Sequence, residues 1–213
     1  MRYNSTSKPT NTAKRVEQKR SYIFLIPIIA VVVIAAILVG LFFLIPELRE
    51  DEYARERAEK APPEGYTRYS NEALSMSFVL SNSARQLTLQ NYDLAYYDNG
   101  YYFYVNAMSY QELEEATYNN MPDPWRTDVE GYSRDFIIKN NMSDKQLVYN
   151  EDENSAVITS TYIGQEGSYY DHYVIMDNGE AIFLINFNCP AEKEAEFKDV
   201  FDMLDDYIYV KKY

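Results

Sequence analysis

The sequence predicts an α+β fold, an antiparallel sheet packed against helices and preceded by an N-terminal transmembrane helix. Three observations predict it. Residues 22–46 form one uncharged, apolar run of 25 residues, and at about 1.5 Å per residue a helix of that length exceeds the ~30 Å hydrocarbon core. Downstream, apolar and polar residues alternate around two Asn-Gly pairs, Asn99-Gly100 and Asn178-Gly179, the strongest short signal of a β-hairpin. Elsewhere apolar residues recur three and four apart behind capping residues, the pattern of amphipathic helices.

Arg2, Lys8, Lys14, Arg15, Lys19 and Arg20 precede the apolar run against Glu17 alone. The positive-inside rule therefore keeps the basic arm, residues 1–21, in the cytoplasm. The run is about twice as long as a signal-peptide core, and no small-x-small cleavage site directly follows Pro46. It reads as an uncleaved single-pass anchor whose partner is the lipid bilayer. Residues 47–65 read as a helical stalk and linker, with Asp51 and Arg55, and Glu56 and Lys60, at i, i+4 spacing. Pro62, Pro63 and Gly65 then break any helix, which places an extracytoplasmic domain at residues 66–213.

The whole chain carries 20 basic and 33 acidic residues, and 14 of the basic and 32 of the acidic ones follow the span. Nucleic acid is excluded as the main partner, because phosphate binding needs clustered Lys and Arg. One Cys permits no intramolecular disulfide, and one His with one Cys puts most zinc sites and His-based triads out of reach. An acidic, disulfide-free exported domain suits the outer face of a bacterial plasma membrane.

Within the domain, residues 74–80 alternate as a half-buried strand. Residues 92–98 and 101–108 form the first hairpin. Residues 147–149 and 155–163 pair around the acidic turn 151–154, and residues 168–177 and 180–188 form the second Asn-Gly hairpin, with Ala181, Phe183, Ile185 and Phe187 on one face. These last four strands make a meander. Ser109 with Glu112 and Thr127 with Glu130 have capping-box spacing, and the second helix presents Val129, Tyr132, Phe136 and Ile137 on one face. A final helix starts at Pro190 and shows Phe197, Val200, Phe201 and Leu204 at i, i+3, i+4 and i+7, before a short strand with Ile208 and Val210.

This order, with LSMSFVL at residues 74–80 and EFKDVFDMLDDYIYV at 196–210, resembles the Mog1/PsbP-like fold over residues 69–211. The resemblance implies an α/β/α sandwich and an accessory or assembly role with no fixed partner. A Pro-x-x-Trp frequent after the family's first strand is missing from residues 81–86. A cystatin-like or NTF2-like curved sheet uses the same element types in another order.

No catalytic, cofactor-binding or metal-binding residue is assigned from the sequence. Cys189, beside Pro190, reads as a buried structural thiol, and His172, between Asp171 and Tyr173, as a hydrogen-bonded strand residue. The turn at residues 151–154 lacks the ligand spacing of a calcium loop. The 22 tyrosines are the least ordinary feature. Tyrosine joins a large apolar body to a polar tip, which suits interfaces and sugar-stacking surfaces. Tyr96, Tyr97, Tyr102, Tyr104, Tyr169 and Tyr170, with Trp125 after Pro122 and Pro124, are the candidate partner-binding residues. The expected function is non-catalytic binding of another protein at the cell surface, or else of wall carbohydrate or a small ligand.

Overall fold

The computed structural model describes Ile34 and residues 56–212, apart from Asn119, Ser143, Asp144 and Gln165. The predicted arm, the span except for Ile34, and most of the stalk lie outside the described residues. Among the described residues no helix is long and apolar enough to cross a membrane. The chain divides into two compact units, Met1–Leu48 and Arg49–Tyr213, and the elements below all belong to the second.

Strands β1 (Tyr66–Asn71) and β2 (Met76–Ser81) pair antiparallel. Next come β3 (Arg85–Leu87), β4 (Leu94–Asp98), β5 (Tyr101–Ser109), α1 (Tyr110–Glu115), the short pair β6 (Thr117–Tyr118) and β7 (Met121–Pro122), and α2 (Val129–Lys139). The meander is β8 (Lys145–Asn150), β9 (Ser155–Gly164), β10 (Gly167–Asp177) and β11 (Ala181–Pro190). A 3-10 turn at Ala191–Lys193 leads into α3 (Glu194–Asp205), followed by β12 (Tyr209–Val210). The main antiparallel sheet runs β3-β4-β5-β11-β10-β9-β8, and a second sheet runs β1-β2-β12.

Local chemistry explains the turns and caps. Asn99 and Gly100 both take positive φ, 44° and 107°, as a two-residue hairpin of the twisted kind requires. At the second hairpin only Gly179 does, at 92°. There the Asn178 side chain accepts from the backbone N–H of Glu180 (3.0 Å) and Ala181 (2.8 Å), making a three-residue loop and starting β11 one residue later than the sequence suggested. Ser109 caps α1 in the expected capping box with Glu112. For α2 the expected cap is corrected from Thr127 to Asp128, which accepts from Gly131 N at 2.7 Å. Asp's carboxylate suits a helix N-terminus better than a hydroxyl, through its charge. A Cβ at Gly131 would lie 2.5 Å from Asp128 Oδ2, so the position requires Gly. Pro190 ends β11 opposite Tyr169 instead of opening α3.

Two apolar layers hold the sheet. One face packs on β1, β2, β12 and α3 through Phe78, Leu80, Phe103, Phe187, Phe201 and Leu204. The other packs on α1 and α2 through Leu113, Tyr132, Phe136, Ile158, Ile175 and Ile182. Burying each such side chain contributes about 1.5–3 kcal/mol, enough to hold an 11-residue α2 that would be marginal alone. Strand β2, read as half buried, is buried on both faces. On the Ser77 side Arg68 of β1 reaches across the strand, donating to Ser77 Oγ (3.1 Å) and to the carbonyls of Arg57 (2.9 Å) and Lys60 (2.8 Å).

Candidate functional site

The outer face of the main sheet is covered over only half its length. Register sets its composition, because opposed residues on neighbouring strands share a face. One row reads Tyr97, Tyr102, Asn188, Asp171, Ser160 from β4 across to β9. The next reads Ala95, Tyr104, Asn186, Tyr173, Ile158. Further along, Leu184, Ile175 and Ala156 continue the face in apolar form, and there α2 lies on it. Helix α2 ends at Lys139, and Asn140, Asn141 and Met142 form a rim over the polar rows. Between that rim and the ends of β9 and β10 lies a cleft of about 790 Å³.

Tyr92, Tyr104, Tyr162 and Tyr173 line this cleft, and further tyrosines stack on them. Tyr92 and Tyr104 stack at 4.3 Å between centroids, Tyr104 and Tyr102 stack at 5.7 Å, and Tyr97 tilts against Tyr102 at 5.2 Å. Tyr162 stacks on Tyr169 at 5.5 Å across β9 and β10. The floor is Asp171, 2% exposed, which accepts from Asn186 Nδ2 (2.9 Å) and Asn188 Nδ2 (2.8 Å). Burial pushes the Asp171 carboxyl above its ordinary range, and the hydrogen bonds from Asn186, Asn188 and Tyr173 oppose that rise. Asn186 Oδ1 is buried without a hydrogen-bond partner. Burial also raises the Tyr92, Tyr104, Tyr162 and Tyr173 hydroxyls, so the walls stay neutral hydrogen-bonding groups at physiological pH.

The fold sorts the sequence candidates by strand alternation. Tyr97, Tyr102, Tyr104 and Tyr169 lie on this outer face and its stacks. Two candidates are corrected: Tyr96 (8% exposed) and Tyr170 (3%) point into the core, one residue out of phase with their outward neighbours. Trp125 is also away from the cleft, stacked on Tyr132 at 5.0 Å with Lys139 Nζ 4.2 Å above its ring. Sequence reasoning missed Asp171, Asn186, Asn188, Tyr92, Tyr162 and Tyr173. A usable signal was the outward set of β11, where apolar Ile182 and Leu184 give way to Asn186 and Asn188 while the inward set stays apolar.

Cys189 is fully buried, and burial pushes its thiol up to about 11, consistent with an inert structural residue. His172 faces α3 on the opposite side of the sheet from Asp171. Its carboxylate partner is Asp205, whose Oδ2 lies 2.6 Å from Nε2, and not the adjacent Asp171. The turn at residues 151–154 is closed by Tyr149 Oη donating to Asn154 Oδ1 and by an ion pair of Glu153 with Arg57.

Among solved structures, the chain is similar to cyanobacterial PsbP from Synechocystis sp. PCC 6803, at 12% identity and a TM-score of 0.47 over 71% of this chain and 95% of that one. It is also similar to a protein of Bacteroides thetaiotaomicron VPI-5482, at 15% identity and 0.43, with 68% of this chain and 48% of that chain covered. A third is a Pseudomonas aeruginosa protein of unknown function, at 6% identity and 0.39, over 70% and 99%. Likenesses this distant carry no argument about activity or partners, and the fold rests on the strand order and register given above. No protein-family model matches the chain, and no curated protein matches it.

Proposed function

We propose that this chain is a membrane-anchored, extracytoplasmic binding module, non-catalytic, whose cleft takes a carbohydrate or similar polyhydroxylated ligand of the cell wall. The observation that carries the reading is the pairing of tyrosine walls with a floor in which buried Asp171 accepts from Asn186 and buried Asn188. Apolar ring faces accept the C–H faces of a sugar, and a few fixed polar groups orient its hydroxyls. Asn186 lines a polar cavity of a size suited to a small ligand, and its Oδ1 is buried without a hydrogen-bond partner. Anchoring rests on the uncharged run at residues 22–46 and the basic arm before it. Calorimetric titration of the full chain in detergent with soluble wall-glycan fragments tests the reading. Saturable binding that weakens about tenfold or more in Tyr104→Ala supports it. Binding equal in the two proteins, or none at millimolar ligand, refutes it.

A protein partner at the cell surface is the second reading, favoured by the apolar end of β9. There Ile163 is 87% exposed beside Tyr162 at 46%, adjoining apolar surface that a protein partner would cover. Crosslinking in intact cells that captures one specific partner from wild type but not from Ile163→Asp would favour it over the glycan.

A further inference from the structure

On the other side of the sheet, the chain's single His meets two carboxylates of α3. His172 is 1% exposed, and its Nε2 lies 2.6 Å from Asp205 Oδ2. An ionised carboxylate only accepts, so with Asp205 ionised Nε2–H donates to it and the neutral ring carries its lone pair on Nδ1. Nδ1 is buried and has no hydrogen-bond partner. What it faces is another acceptor, Asp202 Oδ1, at 3.7 Å, too long for a hydrogen bond. Asp202 and Asp205 stand three residues apart on one face of α3, and candidate ligand atoms of all three residues lie within 4.8 Å of one another.

From this geometry we infer that His172 Nδ1 and the Asp202 carboxylate form a binding site for a divalent transition-metal ion such as Zn²⁺. A cation about 2.1 Å from each of two atoms 3.7 Å apart subtends roughly 120°, within the range of a distorted tetrahedral centre. Asp202, with its side chain 56% exposed, opens the site to solvent, so water completes the coordination. Asp205 plays the supporting part: a carboxylate holding the far ring N–H fixes the tautomer and raises the basicity of the ligating nitrogen. The Arg57 guanidinium donates to the Asp205 and Ile208 backbone carbonyls, at 3.3 and 3.4 Å, and is paired through Nη2 with Glu153. An ion bound here ties α3 to β10, back to back with the cleft floor.

A single His makes the test direct, since ¹⁵N-histidine labelling of the untagged full chain in detergent gives one imidazole. Chelator-stripped protein is titrated with ZnCl₂ at neutral pH. The expected result is a saturable shift of Nδ1 at one ion per chain, with Nε2 still protonated, and a loss of affinity of about tenfold or more in Asp202→Asn. Asp202 is a solvent-facing helix residue, so that variant keeps the fold, which circular dichroism verifies. No saturable shift up to millimolar Zn²⁺, equal affinity in Asp202→Asn, or Nδ1 found protonated under excess Zn²⁺ would each overturn the inference.

Discussion

The two halves of one sheet face have opposite fates. Along β10 and β11, Ile175, Ile182 and Leu184 lie under α2, whereas Asp171, Asn186 and Asn188 line the cleft beyond its end, with Tyr173 at the boundary, its ring 4.9 Å from that of Phe136. The strands, pleat and twist are shared, so the difference lies in side chains alone. An apolar patch this wide gains by covering itself with a helix, while a patch with a buried carboxylate and amides gains nothing from an apolar lid and stays accessible to polar ligands. A sheet face left polar and aromatic by its own strands, in a domain otherwise well covered, is the surface on which the proposed binding rests.

The largest expected effect falls in the covered half. Ile175→Ala removes a fully buried side chain beneath α2 and should cost about 2–5 kcal/mol of stability, read by denaturant unfolding. An equal loss at an open-half position would erase the distinction between the halves. Next comes Tyr104→Ala, expected to weaken ligand by about tenfold or more while lowering stability by only about 1 kcal/mol, since one stacked ring is lost without opening the core.

Asp171 sharpens the comparison through pH. Burial raises its carboxyl above the value it has in the unfolded chain. Its contribution is therefore fully present below the unfolded carboxylate range and is lost as pH rises through the folded value. Asp171→Asn, which keeps an acceptor for Asn186 and Asn188, should melt higher than wild type at pH 7 and bind ligand less well. The difference in melting temperature should shrink as pH falls below about 4. A variant less stable than wild type at pH 7 would show that the ionised carboxylate supports the fold. The smallest effect is expected at Tyr97→Ala, a residue 40% exposed at the edge of the ladder, where stability should stay within about 0.5 kcal/mol.

Much of this architecture was legible in the residues. Asn99-Gly100 could adopt positive φ at both positions and did, and the spacing of Val129, Tyr132, Phe136 and Ile137 marked the buried face of α2. Local signals of this kind act within a few residues. Strand β1 and the three-residue β3 were less legible, although each pairs with the strand that follows it, because YTRYSN is mostly polar and RQL is too short to show a period. The cleft was half legible. Tyrosine density pointed to the correct strands, but facing direction split the candidates, sending Tyr96 and Tyr170 inward. Asp171 carried no signal of its own beside His172, because only the pleat and the neighbouring strands show that the two lie on opposite faces and that Asp171 meets Asn186 and Asn188.

Ring-resolved NMR of the full chain, with tyrosines ¹³C-labelled and wall-glycan fragments added stepwise, tests the role of the open half most directly. Saturable shifts are expected at Tyr92, Tyr104, Tyr162 and Tyr173, with the core rings Tyr96 and Tyr170 unmoved. Shifts confined to tyrosines outside the cleft, or no shifts at ligand concentrations where calorimetry detects binding, would contradict it.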